Sequence, residues 1–164
     1  MIEIKTERLV VKKIRNSDKE RLVTLLGNSE VLKTLSNVPY PYTINDAERW
    51  LEIVNRHEFK FNIFLDDNLI GGVGLSLDED EFYELGYWLG VDYWGQGYAT
   101  EAVKGLLDRA ITKLQSPKIK ANVYKGNTAS AKVLEKNGFK KVGEGEVFSL
   151  SRQETIPCVK LILE

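Results

Sequence analysis

The chain has 164 residues and an almost balanced charge, with 23 basic and 24 acidic side chains. This length predicts one domain, spanning residues 1–164, that is large enough to bury a hydrophobic core. The near-neutral balance gives no electrostatic footprint for nucleic acid, the lone Cys158 excludes an internal disulfide, and the lack of a Cys/His cluster argues against a metal site.

The amino-terminal segment predicts a strand rather than a leader peptide. Residues 1–5 alternate between apolar and charged side chains and lack the apolar stretch of a signal peptide. No later apolar run reaches the length needed to cross a membrane. We therefore expect a cytoplasmic protein without a membrane partner.

A short apolar strand at residues 9–11 is followed by predicted helices. Ser17 and Glu20 have the spacing of a capping box, which predicts a helix that begins there and runs to Leu26. A short second helix is expected after Asn28, because asparagine is a favoured helix cap. The early part of the chain is therefore predicted to be mainly helical.

Two prolines near residue 40 then interrupt the chain before a second capping-box pattern. Thr43 and Asp46 predict the start of a third helix. Two apolar runs, at residues 59–65 and 69–77, flank a turn-rich junction and predict a β-hairpin. A further strand is predicted at residues 83–89, so these strands should form an antiparallel meander.

The glycine loop from Trp94 to Thr100 is the most informative segment. Its glycines allow positive φ and close backbone approach, and the helix predicted after it directs unpaired N–H groups at an anion. A P-loop needs Lys and Ser/Thr after its last glycine, but Tyr98 follows Gly97, which argues against ATP. A dinucleotide fingerprint needs a third glycine where Thr100 stands. We predict a diphosphate cradle for another cofactor, and a ligand-free tight turn is the alternative.

The rest of the chain predicts two helices and three strands. Apolar residues recur at helical spacing over residues 102–114 and should cover the sheet, and a strand follows at 119–124. Asn127 is placed to cap the next helix, and two final strands are predicted near 139–150 and 156–163. The predicted fold class is α/β (α+β mixed), with a central, largely antiparallel mixed sheet flanked by helices.

Five segments in order resemble the GNAT superfamily of N-acetyltransferases. They are Thr6-Glu7-Arg8-Leu9, Pro41-Tyr42-Thr43, Glu84 to Leu89, Trp94 to Ala102, and Asn127 to Phe139. Trp94, where the superfamily more often has Arg or Gln, is similar to the RimJ/RimL branch of ribosomal-protein N-terminal acetyltransferases. The resemblance covers nearly the whole chain. It implies the acyl-CoA N-acyltransferase fold and acetyl-CoA as co-substrate.

Acetyl transfer to an amine needs a base, because an ammonium group has no lone pair with which to attack. Glu84 is the candidate. Strand alternation places it with Gly86 and Trp88 on a largely apolar face, where a carboxylate is costly unless it has a function. The resemblance implies a catalytic role for glutamate at this position. A glutamate that is merely hydrogen-bonded near the strand edge is the alternative.

The leaving thiolate is the second chemical demand. Many superfamily members place a tyrosine acid where this chain has Leu134. Ser130 lies four residues earlier on the same helical face, and the resemblance to the RimJ/RimL branch implies that it protonates or holds the sulfur. A thiol of pKa ~8.5 is already a fair leaving group, so loss of Ser130 is expected to slow the enzyme without abolishing its activity. A serine that only packs in the first helical turn is the alternative.

The resemblance also implies binding residues. The pantetheine arm is expected to pair with the backbone at Leu89 and Val91, with Gly90 letting the strands separate there, and Asn127 is expected to contact the same arm. Tyr40 and Tyr42 are candidates for one wall of the acceptor cleft, unless they only pack the helix junction. The diphosphate is assigned to the backbone N–H groups of Gln96, Gly97, Tyr98, Ala99 and Thr100.

The predicted function is an acetyl-CoA-dependent N-acetyltransferase that acts by direct transfer in a ternary complex. The expected acceptor is a protein N-terminal α-amino group, as in the ribosomal-protein branch. The alternative acceptor is a small amine such as a polyamine, an amino acid or an antibiotic. A non-catalytic CoA-binding sensor is an alternative from another class. A homodimer through an exposed strand or helix face is compatible with the sequence.

Overall fold

A computed structural model describes residues 2–163, which form one eight-stranded sheet with helices on both faces. The predicted helices and strands are all present, with bounds within a few residues of those expected. In chain order they are β1 (Glu3–Lys5), β2 (Val10–Lys12), α1 (Lys19–Leu26), α2 (Ser29–Leu32), α3 (Ile44–Arg56), β3 (Lys60–Leu65), β4 (Asn68–Leu77), β5 (Phe82–Leu89), α4 (Tyr98–Lys113), β6 (Lys118–Tyr124), α5 (Thr128–Lys136), β7 (Phe139–Ser149) and β8 (Glu154–Leu163).

The strand order in the sheet is β1-β2-β3-β4-β5-β6-β8-β7. Neighbouring strands are antiparallel except β5 and β6, which run parallel because α4 crosses between them. The last strand, β8, lies between β6 and β7. The predicted mixed sheet within a mainly antiparallel meander is therefore confirmed.

Each face of the sheet has its own apolar core. One core places Leu106 of α4 and Leu134 of α5 against the sheet, and both side chains are fully buried. The other packs helices α1 to α3 against the opposite face, where Leu22 and Phe64 are buried. The sheet therefore lies between two helical layers. Within residues 2–163, no helix has the length and apolarity needed to cross a membrane.

Two local predictions depend on the chemistry of short segments, and both are confirmed. The β3–β4 hairpin turns at Asp66 and Asp67, which have φ of 49° and 65°, as a tight two-residue turn requires. At the start of α3, the Thr43 side chain accepts the N–H of Asp46, and the Asp46 carboxylate accepts the N–H of Thr43. These bonds fix where α3 begins, beside the cavity described below.

The predicted capping box of Ser17 and Glu20 is wrong. Residues 16–18 form a short 3-10 turn, and α1 begins only at Lys19. The carboxylate of Asp18 reaches back to accept the N–H of Arg15 at 2.9 Å and pairs with its guanidinium. Because the Asp18 carboxylate satisfies this backbone donor, Ser17 lies inside the turn and does not cap the helix.

Strands β5 and β6 diverge along their length. Their paired residues run only from Phe82 to Glu84 on β5, whereas β5 stays paired with β4 as far as Leu89. Gly90 donates its N–H to Ile70 of β4, so by alternation the backbone groups of Leu85, Tyr87 and Leu89 point into the gap. The strands separate directly after Glu84, so the expectation that Gly90 begins the separation is wrong.

Candidate active site

A cavity of about 500 Å³ opens at the gap between β5 and β6. Its lining brings together the two predicted catalytic side chains, Glu84 from β5 and Ser130 from α5, which are 46 positions apart in the numbering of the chain. Asn127 and Tyr42 also line this cavity. Four residues that the sequence analysis selected separately therefore lie around one cavity.

Glu84 is partly buried and faces the cavity. Its Oε1 accepts a hydrogen bond of 2.7 Å from the Asn122 side-chain amide on β6. Lys120 on β6 is the register partner of Glu84, and its side chain forms an ion pair with Asp78. The contact with Asp78, and to a smaller extent the charge of Glu84, raises the pKa of Lys120. Because Asn122 contacts one carboxylate oxygen, Oε2 is left as the acceptor for a proton in the cavity.

Ser130 lies in the first turn of α5, where its N–H donates to the Asn127 side-chain oxygen at 3.2 Å. Its hydroxyl lies 2.5 Å from the Tyr87 hydroxyl, and Tyr87 also donates to the Ser130 carbonyl at 3.0 Å. Burial raises the pKa of Tyr87 to about 12, although the Ser130 hydrogen bond lowers it. Sequence reasoning missed this tyrosine. Leu134, at the position of the superfamily's usual acid, is completely buried in the core.

The glycine loop has the backbone that the sequence predicts. Gly95 and Gly97 have φ of 74° and 81°, in the region that favours glycine, and α4 begins at Tyr98. The first N–H groups of a helix have no acceptor within the helix. In α4, the first backbone hydrogen bond runs from the Glu101 N–H to the Gly97 carbonyl. The N–H groups of Tyr98, Ala99 and Thr100 therefore face outward at the positive end of a helix of 16 residues.

Trp94, at the start of this loop, connects it to the gap. The indole N–H of Trp94 donates to the Leu89 carbonyl at 2.9 Å. The carbonyl of Leu89 is therefore occupied, and its N–H, which alternation directs into the gap, has no part in this bond. The Gln96 side chain donates to the Asp92 carbonyl at 3.2 Å and so closes the turn from within. Leu89 is buried and Val91 is exposed. Of the predicted coenzyme residues, Asn127 lines the cavity, whereas Leu89, Val91 and residues 96–100 lie outside its lining.

A cluster from the amino-terminal segment supports the loop, and it includes residues of the Thr6-Glu7-Arg8-Leu9 segment, to which sequence analysis assigned no contact. Arg8 donates to the Gln96 carbonyl at 2.9 Å, and its guanidinium lies 4.4 Å from the Tyr98 ring centre. The Glu101 carboxylate accepts hydrogen bonds from Thr6, from the Arg8 backbone and from the Arg8 side chain. Burial raises the pKa of Glu101, but these bonds more than offset it and hold that pKa below its ordinary value.

The other side of the cavity is walled by α3, by the loop before it and by the β7–β8 hairpin. The loop and the hairpin are joined, because Leu150 donates its N–H to the Ser36 carbonyl at 2.8 Å. Tyr42 is buried and lines the cavity, and burial and the Asp46 charge raise its pKa. Tyr40 is 56% exposed and lies outside the lining. In the described part of the chain, no cluster of His, Cys, Asp and Glu could hold a metal ion.

Comparison with known proteins gives the family. Residues 8–140 match the acetyltransferase (GNAT) domain family. An uncharacterized N-acetyltransferase of Bacillus licheniformis, p20, is 31% identical over 147 residues, which are 84% of this chain and 82% of that protein.

Solved structures with low sequence identity share the fold. RimL, the ribosomal L7/L12 α-N-protein acetyltransferase, in complex with coenzyme A, has a TM-score of 0.81 at 15% identity, and the match covers 99% of this chain and 98% of that one. The microcin C7 self-immunity acetyltransferase MccE, in complex with acetyl-CoA and AMP, also has a TM-score of 0.81, at 18% identity over 95% and 92% of the two chains. By its domain match and its identity to p20, the chain belongs to the GNAT family and is an N-acetyltransferase.

Proposed function

We propose that this acetyl-CoA-dependent N-acetyltransferase moves its acetyl group directly to a primary amine, with Glu84 as the base and Ser130 assisting the leaving sulfur. One observation carries the proposal. A carboxylate with a free oxygen and a hydroxyl line the same cavity, at the place where the sheet opens between β5 and β6. A base, an acid and a strand-shaped opening in one place are what amine acetylation needs.

The residues of the loop and gap fit the coenzyme. The outward N–H groups of Tyr98, Ala99 and Thr100, with those of Gln96 and Gly97, offer donors and a positive helix end to a diphosphate. Leu89 and Val91 offer backbone groups along which the pantetheine arm pairs as an added strand. Asn127 uses its side-chain oxygen to cap α5, which leaves its amide N–H groups for the same arm.

The reaction then proceeds as one exchange at the acetyl carbon. The ammonium group gives a proton to Oε2 of Glu84, and the lone pair that this frees forms the N–C bond. The nitrogen loses its second proton to solvent as the amide forms. The C–S bond breaks, its electron pair passes to sulfur, and the Ser130 hydroxyl donates a hydrogen bond or a proton to the thiolate. Asn122 keeps Glu84 in place through the hydrogen bond to Oε1. The proton on Glu84 returns to solvent when the products leave.

We propose a protein N-terminal α-amino group as the acceptor, in keeping with the RimJ/RimL branch. The cavity supports this choice because it is partly open to solvent, and its lining combines apolar and charged side chains that a peptide can contact, including Trp50, Val38 and Asp46. The fold shared with RimL is compatible with it. A cytoplasmic location, where such acceptors are made, belongs to the same proposal.

The experiment that tests both parts is a thiol-release assay with acetyl-CoA. A panel of peptides that differ in their first residue is compared with polyamines, free amino acids and aminoglycosides. We expect peptides to be acetylated at the α-amino group, as mass spectrometry can locate. If only small amines turn over, the protein acceptor is wrong. If CoA binds by calorimetry but no amine releases thiol, the protein is a coenzyme sensor.

The role of Glu84 is tested by Glu84→Gln, because glutamine keeps the shape and can still accept the Asn122 hydrogen bond. We expect kcat to fall by ~10²–10⁴, the usual contribution of general-base catalysis, with an unchanged Kd for CoA. The matched control is Glu79→Gln, in the exposed loop before β5, which should keep wild-type activity. Equal activity of the two variants would remove Glu84 from the chemistry.

A further inference from the structure

We infer that Tyr87 is a positioning residue for the transfer, which aligns the Ser130 hydroxyl and replaces its proton as the thiolate leaves. This inference rests on the proposed function, in which Ser130 serves the sulfur. It assigns a role to a phenol that comes from a different element of the fold, β5, and that contacts Ser130 twice.

The geometry restricts what the Ser130 hydroxyl can do. Its oxygen lies 2.5 Å from the Tyr87 hydroxyl, so one of the two groups donates to the other. The Ser130 N–H is held by the Asn127 cap. The single Tyr87 proton has two acceptors within reach, the Ser130 carbonyl at 3.0 Å and the Ser130 Oγ, and it goes to one of them at a time. When the Tyr87 proton points to Oγ, the Ser130 proton is free to point away from Tyr87 and into the cavity that both residues line. Tyr87 therefore sets the direction of the serine donor.

The chemistry explains why a phenol is useful behind a serine. An aliphatic hydroxyl is a far weaker acid than a phenol, so Ser130 alone would have to become an alkoxide when it protonates a thiolate. With Tyr87 in contact, the proton transfer to sulfur can be completed without forming a serine alkoxide. The C–S bond breaks and its electron pair goes to sulfur, the Ser130 proton moves to sulfur, and the Tyr87 proton moves to Oγ. The phenolate then regains a proton from solvent.

The surroundings of Tyr87 suit a group that must keep its proton until that moment. It is partly buried on the face of β5 that packs on the α4 core, next to Leu85 and Leu89. A pKa raised by this burial keeps the phenol protonated across the neutral range. Position 134, where the superfamily's usual acid stands, is a leucine, and its side chain is buried in the core. Tyr87 and Ser130 together therefore supply the acidic group that this chain lacks there.

The first test is a double-mutant cycle with Tyr87→Phe and Ser130→Ala, measured as kcat with acetyl-CoA and the best acceptor. We expect each single variant to lose ~10–100-fold in kcat, within the usual range for general-acid help. Because both residues serve one proton transfer, the double variant should be no less active than the less active of the two single variants. The KM for acetyl-CoA should stay within about twofold in all three. The matched control is Tyr83→Phe, which removes a hydroxyl from the same strand and the same face.

The second test separates proton supply from a purely structural role. Tyr87 is replaced by 3,5-difluorotyrosine, which keeps the hydroxyl and lowers its pKa strongly. If Tyr87 supplies the proton, kcat acquires a falling limb at alkaline pH that the wild type lacks up to pH ~10, since a phenolate has no proton to give. If Tyr87 only packs, the pH profile keeps its wild-type shape.

The outcomes separate this inference from the proposed function. Wild-type enzyme that releases no thiol with any amine contradicts the proposed function itself. Active wild-type enzyme with additive losses in the cycle, or with Tyr87→Phe equal to Tyr83→Phe, contradicts the role of Tyr87 alone. Calorimetry with CoA on each variant shows that the coenzyme site is intact, so a loss of kcat is read as a loss of chemistry.

Discussion

The carboxylate of Glu101 offers a prediction whose size follows from the structure. Its side chain is only 16% exposed, and it accepts hydrogen bonds from Thr6, from the Arg8 backbone at 2.8 Å and from Arg8 Nε at 2.7 Å. Glu101→Gln removes the charge and turns a donor toward the Arg8 donors. Because glutamine keeps one acceptor oxygen, about one hydrogen bond to a charged group is lost outright, and such a bond contributes ~1.5–3 kcal/mol. We expect the free energy of unfolding to fall by about 2–3 kcal/mol.

The pH dependence gives this prediction a sign. The pKa of Glu101 is lower in the folded protein than in the unfolded chain, so its stabilisation is complete above the unfolded value of about 4.3. It is lost as the pH falls through the lower folded pKa. Urea titrations at neutral pH and at successively lower pH should therefore show the difference between wild type and variant shrinking toward zero.

Two results would refute the reasoning about Glu101. One is a destabilisation that stays constant as the pH falls, because it would reflect packing and not charge. The other is an equal loss in Glu7→Gln, whose carboxylate is exposed in the same segment and should change stability by less than ~0.5 kcal/mol. An unchanged m-value is needed for either comparison.

Three further predictions concern other parts of the chain. Gly97→Ala places a Cβ on a residue with φ of 81° and 3.3 Å from the Arg8 side chain, so it should lower the free energy of unfolding by ~1–2 kcal/mol and raise the Kd for CoA. The control is Gly138→Ala, at φ of 90° outside the loop, which should lower stability and leave the Kd unchanged. Calorimetry and urea titration measure both. Tyr124 has a buried hydroxyl without a partner among the described residues, so Tyr124→Phe should stabilise the free protein by up to ~1 kcal/mol, and a lower melting temperature would contradict this. Burial raises the pKa of Cys158, so the folded protein should react with a thiol reagent far more slowly than the unfolded chain at pH 8, and equal rates would contradict the burial.

The features that the sequence predicts well are those decided within a few residues. The Thr43 capping box, the Asp66–Asp67 turn and the positive-φ glycines of the loop each follow from local backbone chemistry. The error at Ser17 is of the same local kind. The pattern assigns the Ser17 N–H to Glu20, but the Asp18 carboxylate accepts the Arg15 N–H instead and starts the first turn two residues earlier.

The features that the sequence could not predict depend on elements far apart in the chain. The insertion of β8 between β6 and β7, the contact of Tyr87 with Ser130 and the support of the loop by Arg8 all join segments that carry no local signal of each other. Alternation along β5 does show that Tyr87 faces opposite to Glu84. It does not show which helix the phenol meets, because that depends on where the crossover places α5.

The divergence of β5 from β6 leaves unpaired backbone groups in the middle of the sheet. Unpaired backbone donors and acceptors of this kind can pair with a strand of another chain, a risk of aggregation that is usual at the edges of sheets. If the pantetheine arm pairs along β5 as proposed, it would cover these groups, and binding would add about 2.7 kcal/mol of stability when the free coenzyme concentration is 100 times its Kd. Resistance of the protein to proteolysis and to aggregation should therefore rise with the concentration of CoA.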